Sequence, residues 1–280
     1  MYKGGLYVKH KPAPIAMIEF LTLALTVTAY LGAAFIQLRY GAAHKGSLSP
    51  RALPIGALAM LGHTNLTYSL LTSHTLSPMG FNEAASLAFL ITNFAAVALL
   101  IWRPVQTLLV GLFPLSAGSI LLATLAPSDP FEQSLAPEVV VHIASSLAAN
   151  AMLALAAMQA AIVAIQDRSL RTHHNKGVTR WLPPLQQMER LLFELLWIGF
   201  ALLSFAILSG FFFLEDMLAQ HVAHKTVFTL CAWFVYSILL WGHYQLGWRS
   251  RTAVKLTLSG FALILLAYFG SKFVLQLIAG

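Results

Sequence analysis

Long apolar runs alternate with short polar breaks along the whole chain, and nowhere does a strict every-second-residue alternation replace them. The runs cover Ile15–Leu38, Leu53–Leu71, Ala84–Ile101, Thr107–Leu125, Val139–Ile165, Leu191–Leu214, Thr226–Leu246 and Leu256–Ile278. A hydrocarbon core about 30 Å thick is crossed by about 20 helical residues rising 1.5 Å each. Each run therefore predicts one membrane-crossing helix. Strands of a membrane barrel would show alternation over about ten residues, and none does. Breaks such as Gly41 to Pro50 and Ala126 to Pro137 separate the runs. The first run is too long for the apolar core of a cleavable signal and reads as the first membrane helix. The predicted fold class is all-α, a polytopic transmembrane helix bundle of about eight spanning helices.

Charge supports this reading. Of 280 residues, 58% are hydrophobic and only 10% charged, where a soluble domain carries about 25% charged residues. A net charge of +7 does not point to nucleic acid, because the basic residues lie between apolar runs and form no dense patch. They set topology instead. Alternate loops hold Arg39, Lys45 and Arg51; Arg103; Arg168, Arg171, Lys176, Arg180 and Arg190; and Arg249, Arg251 and Lys255. The opposite loops hold Glu83; Asp129, Glu132 and Glu138; and Glu215 and Asp216, with Lys225 the only base among them. The positive-inside rule makes the first set cytoplasmic and places both termini on the outer, periplasmic side. Lys3, Lys9 and Lys11 run against the rule, and translation from Met17 would remove them. The stretch Gln166 to Arg190 is the one sizeable loop and is too short for a domain. Residues 1–280 read as a single integral-membrane domain, with no P-loop, soluble module or internal repeat.

With few charges, the ten histidines stand out. His10, His44, His173 and His174 fall in the tail or in cytoplasmic loops, where solvation accounts for them. His74 joins five others of more interest. His63 sits near the middle of the second helix, where a polar ring needs a partner because an unsatisfied group in hydrocarbon costs several kcal/mol. It reads either as a functional group or as a packing residue bonded to a neighbouring Ser or Thr. His243 lies near the cytoplasmic end of the seventh helix beside Trp241 and Tyr244, which also suits an interfacial ring. His142 opens the fifth helix, and His221 and His224 share the last outer loop. Zinc would need further ligands, and no Cys or carboxylate is placed to complete a site. The lone Cys231 lies inside an apolar run and forms no internal disulfide. Several histidines at two depths among aromatics suit axial ligation of a haem better, since haem iron takes imidazoles and the porphyrin takes apolar walls. The Ala-rich fifth helix, from Ala144 onward, permits close helix approach.

Several stretches resemble the cytochrome c assembly protein family (the CcsA/CcmC group), and most closely its YpjD/HemX-like branch. They are Leu182-Pro-Pro-Leu-Gln-Gln-Met-Glu189, Gly199-Phe, Ser209-Gly210, Ala232-Trp-Phe-Val-Tyr236, Leu240-Trp-Gly-His243-Tyr, Gly247-Trp-Arg-Ser-Arg251 and Tyr268-Phe-Gly270. Upstream, Val141-His142-Ile with Ser145-Ser146 resembles the family's outer histidine motif, and Gly80-Phe-Asn-Glu83 its loop before the third helix. The resemblance spans about Ile18 to Ile278. It implies handling of haem b, with His63 and His243 as the intramembrane axial pair on iron and His142 as an outer contact. Two features depart from the family: Gly210-Phe-Phe-Phe-Leu-Glu-Asp216 does not resemble the tryptophan-rich WWD segment that presents haem, and no histidine follows Gly270.

The function this implies is a haem-binding or haem-handling protein of a bacterial inner (cytoplasmic) membrane, related to cytochrome c biogenesis factors. Its partners would be haem, membrane lipid and other cytochrome c biogenesis or haem-synthesis proteins, without nucleic acid. The alternative is a HemX-like, non-enzymatic regulator or scaffold of haem-pathway proteins that keeps the bundle without haem. Secondary transport fits less well, because inverted repeats and midplane charges are lacking. No spacing joins Ser, His and Asp into a catalytic constellation, so no enzyme is expected.

Overall fold

Eight α-helices form where the apolar runs predict them, and the differences lie at their ends. The helices are α1 (Met17–Ala43), α2 (Ala52–Ser73), α3 (Phe81–Leu99), α4 (Gln106–Leu125), α5 (Pro137–Arg171), α6 (Leu185–Phe213), α7 (Ala223–Leu246) and α8 (Ser250–Ile278). The structure is a computed structural model that describes residues 17–44, 46–73, 81–125, 137–172, 182–213 and 223–278. No strand occurs among the described residues. His10, His74, His173, His174 and His221, most of the acidic outer-loop residues and the Lys3–Lys11 tail lie outside them, as does the side chain of His224.

Four helices outrun their apolar segments by five or six residues, all at the same, basic end of the bundle. α1 continues past Leu38 to Ala43, α5 past Ile165 to Arg171, and α6 and α8 begin at Leu185 and Ser250, ahead of Leu191 and Leu256. Hydropathy marks only the part of a helix that lies in hydrocarbon, whereas backbone hydrogen bonding continues into the interface. There Asp167 pairs with Arg171 one turn on, and Pro183-Pro184 leads into α6, where a missing N–H costs nothing.

Seven of the helices are long and apolar enough to cross a bilayer; α2 is the exception. Its half away from the basic end carries Gly62-His63-Thr64-Asn65 and Thr67-Tyr68-Ser69, which lowers its hydropathy without shortening it. With 22 residues it is about 33 Å long. The large apolar side chains left exposed, among them Phe20, Leu25 and Phe35 of α1, Phe205 and Leu208 of α6, and Phe234 and Ile238 of α7, form the surface expected to meet lipid.

The packing divides into two up-and-down groups of four. α1 packs on α2 and α4, and α3 on α4 and α2; α5 packs on α6 and α8, and α7 on α8 and α6. α5 joins the groups by lying against α3 and α4, and one continuous apolar core from Ala29 to Ile264 runs through both. The Ala-rich α5 makes its closest approach to α6, as its composition predicts. Ala149, Ala156 and Ala160 are buried, and a side chain at Gly199 would run into Leu153.

Polar ties close the first group. Ser69 donates to the Glu19 carboxylate at 2.7 Å, Asn93 Nδ2 to Ser116 Oγ at 2.6 Å, and Gln37 bridges Ser47 O and Ser49 N across the α1–α2 turn. At the seam Arg103, before α4, pairs with Glu194 of α6. Both side chains are partly exposed, so a double-mutant cycle of Arg103→Gln and Glu194→Gln is expected to give a coupling of about 1 kcal/mol or less. A larger value would mean that the pair, rather than apolar packing, holds the two groups together.

Candidate functional site

His63 is fully buried, and both ring nitrogens are engaged. Nδ1 lies 3.1 Å from Tyr30 Oη of α1, and Nε2 lies 2.9 Å from Ser86 Oγ of α3. A neutral imidazole has one N–H and one lone pair, so in either tautomer one nitrogen donates and the other accepts, and neither is left over. The Tyr30 ring meets His63 edge-on at 5.8 Å and packs on Phe113 of α4, so α1, α2 and α3 meet at this histidine with α4 packed behind Tyr30. The residues adjacent to it in sequence take no part. Thr64 donates to its own helix at Met60 O, and Thr64, Asn65 and Tyr68 lie on the exposed side of α2. Positions one, two and five along a helix point away from a given side chain, so the partners of His63 come from other helices. Sequence spacing gave no sign of Tyr30 or Ser86.

His243 is placed differently. The α7–α8 corner turns through Gly247 (φ 65°) and Ser250 (φ 42°), and the left-handed backbone at Gly247 is one that glycine adopts without strain. The turn folds Trp248 back onto Gly242, where a Cβ would collide with the indole. With Trp248 so placed, its carbonyl accepts a 2.8 Å hydrogen bond from His243 Nδ1. A carbonyl only accepts, so Nδ1 carries the proton and Nε2 keeps its lone pair. The ring stacks on Phe193 of α6, centroids 3.4 Å apart and 15° from parallel. Nε2 has no protein partner among the described residues. An imidazole oriented through Nδ1 with Nε2 open is the arrangement that metal-ligating histidines adopt. About 15 Å along α7 from His243, Trp233 donates to Ser204 Oγ at 2.8 Å and stacks on Phe200, so aromatic rings also fill the space between α6 and α7 there.

His142 follows the same pattern at the other end of the second group. Its Nδ1 donates to Ala206 O at 3.0 Å, with Ser209 Oγ at 3.2 Å, leaving Nε2 open. Ser145 donates to His142 O. The Val141-His142 and Ser209-Gly210 stretches, far apart in sequence, thus meet in one place.

The three histidines do not share a site. His63 lies about 16 Å along α2 from Ala52 and His243 about 5 Å from the end of α7, both counted from the basic end. α2 packs within the first group and α7 within the second. No cluster of three or more His, Cys, Asp or Glu able to hold an ion occurs among the described residues. As iron ligands, His243 and His142 fit as they stand, each with a held ring and an open nitrogen. His63 does not fit in this arrangement, because it would first have to give up Tyr30 or Ser86.

Comparison with known proteins decides the family. Residues 54–279 match the family described as cytochrome C assembly protein. The chain belongs to the cytochrome c assembly protein family. It is 37% identical over 162 residues to the inner membrane protein YpjD of Escherichia coli (strain K12), an alignment covering 58% of this chain and 61% of that protein. It is 29% identical over 245 residues to the "uncharacterized 28.8 kDa protein in nifR3-like 5'region" of Azospirillum brasilense, covering 86% of each. The chain thus spans less than two thirds of the length of YpjD. No solved structure matches. Together with the candidate spans, the relationship to YpjD makes this family member a multi-pass inner-membrane protein. The family segment contains His63, His142 and His243 and begins after α1, so Tyr30 lies outside it.

Proposed function

We propose that this chain binds and handles haem b in the inner membrane as part of cytochrome c biogenesis, with His243 as the iron ligand presented at the α7–α8 corner. The observation that carries this is the His243 ring, fixed by Trp248 O and Phe193 with Nε2 open. Bound there, haem would supply a redox-active iron and an extended apolar ring. The chain's own residues orient the imidazole, fix its tautomer and provide aromatic walls between α6 and α7. His63 would be the second iron ligand implied by family resemblance, and to serve as one it would first have to give up the Tyr30 or Ser86 hydroxyl. His142 is the accessory contact at the opposite end. In this reading the basic end faces the cytoplasm, and the protein, a single integral-membrane domain, carries out no catalysis of its own.

The sealed state of His63 favours a second reading, in which the family bundle persists as a regulator or scaffold of haem-pathway proteins without haem. Absorbance spectra of the detergent-purified protein, oxidised and dithionite-reduced, separate the two. Haem handling predicts a Soret band with sharp reduced α and β bands, lost in His243→Ala. A colourless protein that stays colourless after added haem would leave the regulator or scaffold.

A further inference from the structure

Between the last turns of α5 and the first turns of α8 lies a cavity of about 460 Å³ lined by Arg168, Arg171, Arg251 and Lys255 around a single carboxylate, Asp167. Asp167 is already engaged: Arg171 Nε reaches its two oxygens at 3.1 and 3.0 Å, and Arg251 Nε reaches one at 3.5 Å. Arg168 and Lys255 have no carboxylate partner among the described residues. The cavity therefore holds an excess of positive charge that nothing described neutralises. Ser250 turns its buried Oγ toward the Asp167 carboxylate and stands at the start of α8, an end of a helix that favours anions.

Depth in the membrane narrows the ligand. Arg171 lies about 9 Å beyond the end of the α5 apolar run, and Lys255 immediately precedes the apolar run of α8. Ala164, inside the α5 apolar run, lines the cavity on the side toward the hydrocarbon, and Val254 beside Lys255 adds a second apolar surface. One ligand thus meets cations at one end and hydrocarbon at the other. Basic pockets between membrane helices at this level suit phosphate headgroups.

The geometry points to a binding site for the phosphate headgroup of an anionic phospholipid of the phosphatidylglycerol class, held by Arg168 and Lys255 beside the Asp167–Arg171–Arg251 cluster. Arg171 and Arg251, tied through Asp167, form the fixed wall, and the two free cations supply the neutralising charge.

The test uses the full chain in a non-ionic detergent. Its thermal unfolding midpoint is followed against dioctanoyl phosphatidylglycerol, dioctanoyl phosphatidylcholine and inorganic phosphate. The expected result is a saturable rise with phosphatidylglycerol alone. The Arg168→Gln/Lys255→Gln variant, which leaves the Asp167 pairs intact, should need about thirtyfold more of that lipid for the same rise, and Lys255→Gln alone about fivefold more. An equal rise with phosphatidylcholine would reduce the effect to bulk lipid, and an equal rise with phosphate would make this a site for soluble anions. Either result overturns the proposal, as does a Lys255→Gln variant that responds like the parent.

Discussion

His63→Ala is expected to lower the stability of the haem-free protein by about 3 kcal/mol, the largest loss from any one histidine. Truncation opens a cavity where α1, α2 and α3 meet, and partly relaxed cavities of this kind cost about 2–5 kcal/mol. It also orphans two hydroxyls. Ser86 can turn back to a carbonyl of its own helix, so its share is small. Tyr30 Oη, fully buried with its ring wedged against Phe113, has no such recourse, and an unmet buried donor costs about 1–3 kcal/mol. Ser86→Ala should then cost about 1 kcal/mol, because it removes one partner and leaves the ring tied to Tyr30. Denaturant unfolding in mixed micelles reads the order of the two. If His63→Ala were as stable as the parent without haem, the Tyr30–His63–Ser86 chain would contribute nothing to the fold. The same expectation bears on haem experiments. Loss of colour in His63→Ala alone does not identify a ligand, whereas loss in His243→Ala, whose partly exposed ring leaves no buried donor behind, does.

With haem held at His243 as proposed, Gly242→Ala is expected to cut haem content at least tenfold, and to destabilise the protein by about 1–3 kcal/mol, the usual range for overpacking. The added methyl would fall among atoms of the Trp248 indole. Retreat of that ring draws its carbonyl away from His243 Nδ1, freeing the tautomer and rotation of the imidazole. Gly32→Ala supplies the contrast. Nothing lies within 4 Å of a Cβ there, and in a helix interior the change should be neutral or stabilising by up to about 1 kcal/mol. Pyridine haemochrome content and the unfolding midpoint check both variants. Parental haem content in Gly242→Ala would mean that Trp248 does not position the ligand.

Much of the architecture was legible because hydropathy reports transfer into hydrocarbon and little else. It located eight helices and missed the polar turns at Ala43, Arg171, Leu185 and Ser250, where backbone hydrogen bonds continue after the apolar signal stops. At the site, legibility followed distance along the chain. The His243–Trp248 construction spans five residues and shows as the Gly242-His243 and Gly247-Trp248 motif. The Tyr30–His63 and Ser86–His63 bonds span 33 and 23 residues and depend on how α1, α2 and α3 rotate against one another. Nothing in the periodicity of a nearly uniformly apolar helix fixes that rotation. The resemblance to the family named the histidines; their surroundings came only from packing.

The division into two groups of four has a temporal consequence. Every helix of the first group is complete by Leu125, and chains made from the N-terminus fold their earlier units first. The Tyr30–His63–Ser86 chain can therefore close in the bilayer while His243 is still to be synthesised. A ligand shared by His63 and His243 would arrive at a histidine whose valences had already been filled during biogenesis, and its entry would be the reopening of an earlier assembly step.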